Sequence, residues 1–226
     1  EWTGAWTTFQ AMEKSWAYRQ DQLPSTHPVV ATINDIEDVQ VNFDGITYAK
    51  GGSVLKQLVA WVGEEAFFAG VHNYFRKHQW SNAVLADFLT ELEDSSGRDL
   101  SRWSELWLET AGVNTLVAEI TADQAGIIQA FTIVQSAPAE WPTLRPHRLG
   151  IGLYSADESG AISRSISVEL DVDGERTDVP QLVGKHRGDI VLINDDDLAY
   201  AKIRLDSASR DVAIANLSQI EDPLAR

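Results

Sequence analysis

Tyr48 is the residue of this sequence whose type and setting best suit chemistry. It lies in FDGITYAKGG, residues 43–52, between Gly45 and the Gly51-Gly52 pair, and an apolar helical pattern follows. A phenol is protonated at neutral pH and donates a hydrogen bond. Held rigidly at a helix start, such a donor can meet an oxyanion developing in acyl transfer, an interaction worth roughly 2.7–4 kcal/mol. Gly45 is read as permitting a tight turn before Tyr48, and Gly51-Gly52 as allowing close approach after it. Asp44 is read as the cap of that turn. Lys50 is read as a structural ion-pair partner rather than a catalytic group. On residue types alone, an ordinary packed tyrosine is the commoner reading of such a position.

The other chemically capable residues form no motif. His72 and His78 are six residues apart on one predicted helix and point to different faces, whereas paired zinc ligands want the i, i+4 spacing of HExxH, which is absent from the sequence. His27, His147 and His186 sit in loop or strand settings without neighbouring partners. No GxSxG, Walker loop or GxGxxG occurs. Asp171, Asp173 and Glu175, and the run Asp195-Asp196-Asp197, read as solvated turns, since neither fits a twelve-residue calcium loop.

The elements that must position these residues change character midway. Trp2, Trp6, Phe9, Met12 and Trp16 recur at spacings of three and four, predicting a helix with one buried face. Pro24 and Pro28 break it, and Val29 to Val41 reads as an ordered loop. Residues from Ser53 to Gly112 predict successive antiparallel helices: one stopped by Gly63, one with acids in its first turn and Arg76 and Lys77 in its last, one capped at Ser81 or Asn82, and one capped at Asp99 or Ser101. From Leu116 the period becomes two, and about seven short strands suggest a β-sandwich, with Asp173-Gly174 read as a hairpin turn. A helical period returns after Asp206. The fold class expected is therefore α+β: helical region 1–113, antiparallel β-sandwich 114–205, and the start of a further helical region at 206–226.

Composition narrows the function. The net charge of −16 disfavours nucleic-acid binding. There is no cysteine, hence no disulfide framework and no thiolate zinc site, which agrees with a reducing, cytoplasmic setting. No stretch approaches a membrane span, and the N-terminal residues have no signal-peptide layout; the sequence reads as a piece cut from a larger chain.

The run FDGITYAKGGSVLKQLVAWVG resembles the F-D-x-I-x-Y-x-K-G-x-x-V segment of the zinc aminopeptidases typified by aminopeptidase N, in particular the actinobacterial type. THP at 26–28, G-x-x-x-F-x-x-G-V-x-x-Y-F-x-x-H-x-W from Gly63 to Trp80, the Asp99–Gly112 stretch and VLINDDDLAYAKIRLD follow the family pattern in order, over almost the whole chain. The resemblance implies that Tyr48 donates its hydroxyl to the tetrahedral intermediate. It also implies a parent enzyme that uses Zn2+ to remove N-terminal residues from peptide substrates. The family's zinc ligands, in HExxH and a downstream NE motif, and its GxMEN amine-binding loop are absent from this sequence. The fragment is therefore expected to be inactive by itself, with no bound catalytic metal, and to supply Tyr48, a helical wall and a sandwich spacer. Two rival readings are a non-catalytic helical-plus-sandwich interaction module and a calcium-stabilised adhesion-type sandwich.

Overall fold

The structure, a computed structural model, describes residues 4–226. Helices come first: α1 Ala5–Thr8, α2 Ser15–Gln20, α3 Ile36–Val41, α4 Gly51–Val62, α5 Glu64–His78, α6 Leu85–Ser96 and α7 Ser101–Leu108. Seven strands follow: β1 Thr115–Ala122, β2 Ile128–Ser136, β3 His147–Ala156, β4 Ile162–Val172, β5 Arg176–Asp178, β6 Ile190–Asp195 and β7 Lys202–Arg204. Helix α8, Ser207–Asn216, follows, and a 3-10 turn at Leu217–Gln219 ends the order.

The first helical pattern is continuous in the chain but not in register. A π-helical segment, Phe9–Lys14, joins α1 to α2. Its wider turn rotates everything beyond it relative to an α-helix. Met12, within that segment, is 65% exposed while Lys14 and Ala17 are buried, and Trp6, ahead of it in α1, is also 50% exposed. The expected buried face is thus corrected; Trp2 lies outside the described residues.

Three further local expectations are revised. Val29–Val41 contains α3, whose first turn is capped by Asp35 accepting from the Glu37 and Asp38 N–H groups at 2.9 and 3.0 Å. Helix α6 begins after Val84, not at Ser81 or Asn82, because the Asp87 carboxylate reaches back to the Val84 N–H at 2.9 Å. Helix α7 is flanked by Leu100; Asp99 accepts the Ser101 N–H at 2.8 Å. Gly63 does stop α4, at φ 88°, a conformation other residues adopt with difficulty.

The strands form two sheets, β5-β2-β1-β7 and β4-β3-β6. Pairings are antiparallel except β1 with β7, which run parallel from Thr115↔Lys202 to Val117↔Arg204. The Asp173-Gly174 turn does not close a hairpin. It carries the chain from β4 in one sheet to β5 in the other, where Thr177 pairs with Ile133. A positive-φ glycine, Gly174, marks the turn, and β5 pairs along the edge of β2. Leu116, Ile133, Leu149, Ile151, Val172 and Ile193, drawn from both sheets, fill the sandwich core. Alternation of apolar and polar residues shapes β1 and β2, whereas β3 and β6 are buried almost throughout because α8 and the helical part cover their outer face. Helix α8 packs on β6, with Tyr154, Ile162, Ile190 and Ile220 forming a small separate core.

Polar groups join the helical part to the sandwich. Lys14 Nζ donates to Asp197 Oδ1 at 2.6 Å and to the Ala199 carbonyl at 2.7 Å. Burial holds the Lys14 ammonium below its ordinary pKa, against the pull of Asp197. Tyr18 stacks on Tyr200 with centroids 4.6 Å apart and donates to the Ala201 carbonyl at 3.0 Å. Trp107 Nε1 donates to the Pro146 carbonyl at 2.8 Å, and Gln57 Nε2 to the Arg148 carbonyl at 2.9 Å. Among the described residues no helix is long and apolar enough to cross a membrane.

Candidate active site

Tyr48 lies in a π-helical turn, Ile46–Lys50, that runs directly into α4. Ile46, Ala49 and Lys50 of this turn are buried, and Tyr48 is 51% exposed. The spacing i, i+3, i+4 of the three inward residues turns Tyr48 outward. Its ring lies 4.7 Å from that of Phe43, and its hydroxyl has no hydrogen-bond partner among the described residues.

The turn is fixed on its N-terminal side by Asp44. Oδ1 accepts the Ile46 and Thr47 N–H groups at 2.9 and 3.0 Å, as the sequence suggested. Oδ2 faces His27 Nε2 at 3.0 Å, and His27 Nδ1 faces the Pro28 carbonyl at 2.7 Å. Gly45 N–H donates to Gln20 Oε1 at 2.6 Å. The φ and ψ of Gly45, −66° and −22°, are ordinary helical values, so the expected tight-turn role is replaced by a steric one. A Cβ there would come within 2.8 Å of the Trp16 indole.

The C-terminal side is fixed by Lys50, whose side chain is fully buried. Its ammonium pairs with Asp21 Oδ2 at 2.8 Å and donates to the Gly112 carbonyl at 3.1 Å. Burial pulls Lys50 down to about 8, opposed by the attraction of Asp21 and reinforced by Arg145. Asp21 also accepts from Thr26 Oγ1 at 2.6 Å, Gly112 N–H at 3.0 Å and Tyr200 Oη at 3.2 Å. Desolvation, with Asp21 adding to it, raises Tyr200 well above the usual phenol range, so it is a protonated donor. Beside Tyr48 a groove of about 430 Å3 is lined largely by apolar residues, including Val29, Leu55, Leu58, Phe88 and Trp103.

The remaining candidates lie apart from this site. His72 is exposed, and His78 packs 5.3 Å from Tyr74. His186 is exposed and accepts the Gly188 N–H at 3.1 Å. His147 is buried, donates from Nε2 to Gln135 Oε1 at 2.8 Å, and is lowered to about 3 by burial and by Arg145. The aspartates of the acidic runs are engaged by cations of the chain itself, and Asp195 and Asp197 are buried there rather than solvated as expected. Asp171 meets Arg98 and Arg148, Asp173 meets Arg102, Asp195 and Asp196 meet Arg164, and Asp197 meets Lys14. Among the described residues no three His, Cys, Asp or Glu side chains stand together as a metal site. Sequence reasoning did not identify Asp21, Tyr200 or the His27–Asp44 pair. The His27–Asp44 and Tyr200–Asp21 contacts span 17 and 179 residues of chain, and no local spacing signals them.

Residues 1–114 match the profile described as "Peptidase family M1 domain". The chain is 58% identical, over its full length, to "Aminopeptidase N" of Streptomyces lividans, of which it covers 27%. It is 31% identical over 63% of its length to "Glutamyl aminopeptidase" of Bos taurus, covering 16% of that protein. A crystal structure of Legionella pneumophila aminopeptidase A in complex with aspartic acid superimposes with a TM-score of 0.63, at 19% identity, over 83% of this chain and 21% of that one. The fold is thus shared with that structure, and the chain spans about a quarter or less of the length of these relatives.

Proposed function

Because the chain belongs to peptidase family M1, we propose that it is the part of an aminopeptidase N-type enzyme that carries the oxyanion donor, Tyr48, and that the intact enzyme removes N-terminal residues from peptides. One observation supports the role of Tyr48: its hydroxyl, without a partner among the described residues, faces outward on a turn whose inward residues are all buried. When water adds to a peptide carbonyl, negative charge develops on the carbonyl oxygen. A neutral phenol fixed beside that oxygen donates its O–H without releasing the proton, and the bond strengthens as the charge grows. Such an interaction lowers the barrier more than it tightens substrate binding.

Zinc acts in this family as a Lewis acid and activator of water. The described residues provide no ligand set that fits it, so none is assigned to it. The isolated chain is accordingly expected to show neither turnover nor stoichiometric zinc; finding both in the purified chain would overturn that. In the full-length enzyme, Tyr48→Phe is expected to lower kcat by about 10²–10³-fold with little change in KM. Equal turnover in that variant would remove the proposed role.

The exposed Trp6, Met12, Phe43, Phe68 and Phe75 are assigned to contacts with the remainder of the same polypeptide, supported by the small share of the relatives' length that the chain spans. The same apolar surface is what an interaction module would use. An HExxH within roughly a hundred residues upstream favours the enzyme, and its absence favours the module. The cysteine-free composition supports a cytoplasmic placement of the parent.

A further inference from the structure

We propose that the β-sandwich is not a passive spacer: Tyr200, acting through Asp21 and Lys50, is a positioning residue for the Tyr48 hydroxyl. The proposal rests on the reading of Tyr48 as the oxyanion donor.

The chain of contacts is short and buried throughout. Tyr200 lies between β6 and β7 and donates to Asp21 Oδ2 at 3.2 Å. The same oxygen takes the Lys50 ammonium at 2.8 Å. Lys50 is the last residue of the π turn, two positions from Tyr48. The other oxygen of Asp21 is held by Thr26 and by the Gly112 N–H. Asp21, at the end of α2, therefore gathers donors from the loop after it, the Tyr48 turn, the link between helices and sandwich, and the sandwich itself. Its side chain and that of Lys50 are both fully buried. A carboxylate so surrounded has a single place to sit, and it determines where Lys50, and hence the turn, can sit. The Tyr200 ring is fixed independently by its stack on Tyr18 and lies 5.6 Å from Lys50 Nζ.

Such fixing matters because an oxyanion donor works only within a narrow range of distance, and a displacement of about 1 Å costs on the order of 100-fold in rate. Removing Lys50 leaves the Asp21 charge buried without a counter-ion, a change severe enough to unfold the enzyme. Tyr200→Phe is the gentler probe. It deletes one donor to Asp21 and keeps the ring that stacks on Tyr18.

The test is a double-mutant cycle in the full-length enzyme, with aminoacyl p-nitroanilides as substrates and Tyr48→Phe as the second substitution. Tyr200→Phe alone is expected to lower kcat about tenfold, with KM within about twofold. In the Tyr48→Phe background it is expected to have no further effect. Faster amide exchange at residues 47–51 in Tyr200→Phe, with exchange in β1–β3 unchanged, is the expected readout that does not depend on activity. An unchanged kcat in Tyr200→Phe overturns the proposal, as does an equal loss with and without the Tyr48 hydroxyl; in both cases a slow Tyr48→Phe enzyme leaves the oxyanion reading standing. Full turnover in Tyr48→Phe removes both.

Discussion

Gly45 shows how little tolerance surrounds Tyr48. A Cβ at this position would lie 2.6 Å from Gln20 Oε1 and 2.8 Å from Trp16 Cδ2, and the Gly45 N–H already donates to that same Gln20 oxygen. Gly45→Ala should therefore push the turn away from α2. Overpacking of this kind costs about 1–3 kcal/mol, and each kcal/mol lowers Tm by roughly 2–4 °C in a chain of this size. A thermal melt followed by circular dichroism measures this, and an unchanged Tm would show that Trp16 and Gln20 give way freely. The glycine itself was legible in the sequence, but its reason was not. Reading it as a turn residue assumed unusual backbone angles, whereas the structure has ordinary angles and no space. Lys50 and Asp44 were read correctly as an ion-pair partner and a cap, because a charged side chain beside apolar neighbours must find a counter-charge and an Asp just before a turn caps it. Their remote partners, Asp21 and His27, are set by tertiary packing and leave no trace in local spacing.

At the scale of elements, helix ends repay attention. Asp206 caps α8 by accepting the Ala208 and Ser209 N–H groups, each at 3.1 Å, and also takes the Ser209 hydroxyl and Arg187 Nη2. Asp206→Ala is expected to cost about 1–2 kcal/mol. Hydrogen exchange should show the loss in residues 207–216 and not in β1–β3; uniform loss across the sheets would contradict a local capping role. Strand periodicity made all seven strands legible, since alternation reports directly which face is buried. The pairing partners were less so. Asp173-Gly174 has the residues of a hairpin turn, yet the chain crosses to the other sheet there. Neither π-helical segment could be anticipated, because one extra residue in a turn leaves composition unchanged while shifting the register of the face that holds Met12.

For the whole molecule, the pH dependence of stability follows from a buried histidine. His147 is fully buried, touches the edge of Trp107 at 5.1 Å and is lowered to about 3, from an ordinary 6.5, chiefly by burial. Between those values the unfolded chain binds a proton that the folded chain does not. The contribution of His147 to stability is therefore fully present above pH 6.5 and is lost as the pH drops toward 3, by an amount on the order of a few kcal/mol. Denaturant midpoints measured from pH 7 to pH 4 should decline, and His147→Gln should flatten that decline even if the variant is less stable at pH 7. A slope unaltered by the substitution would place the acid sensitivity in other groups.

The two lysines at the seam between helices and sandwich carry a different consequence. Lys14 and Lys50 have side chains 1% and 0% exposed, whereas the side chain of Lys77 is 60% exposed. An acylating reagent that modifies Lys77 in the folded chain meets no amine at either buried position. Lys14 reaches Asp197 and the Ala199 carbonyl across the seam, so an acyl group found there would mark molecules whose helical and sandwich halves had parted, and the charge that joins the halves also records, chemically, when they separate.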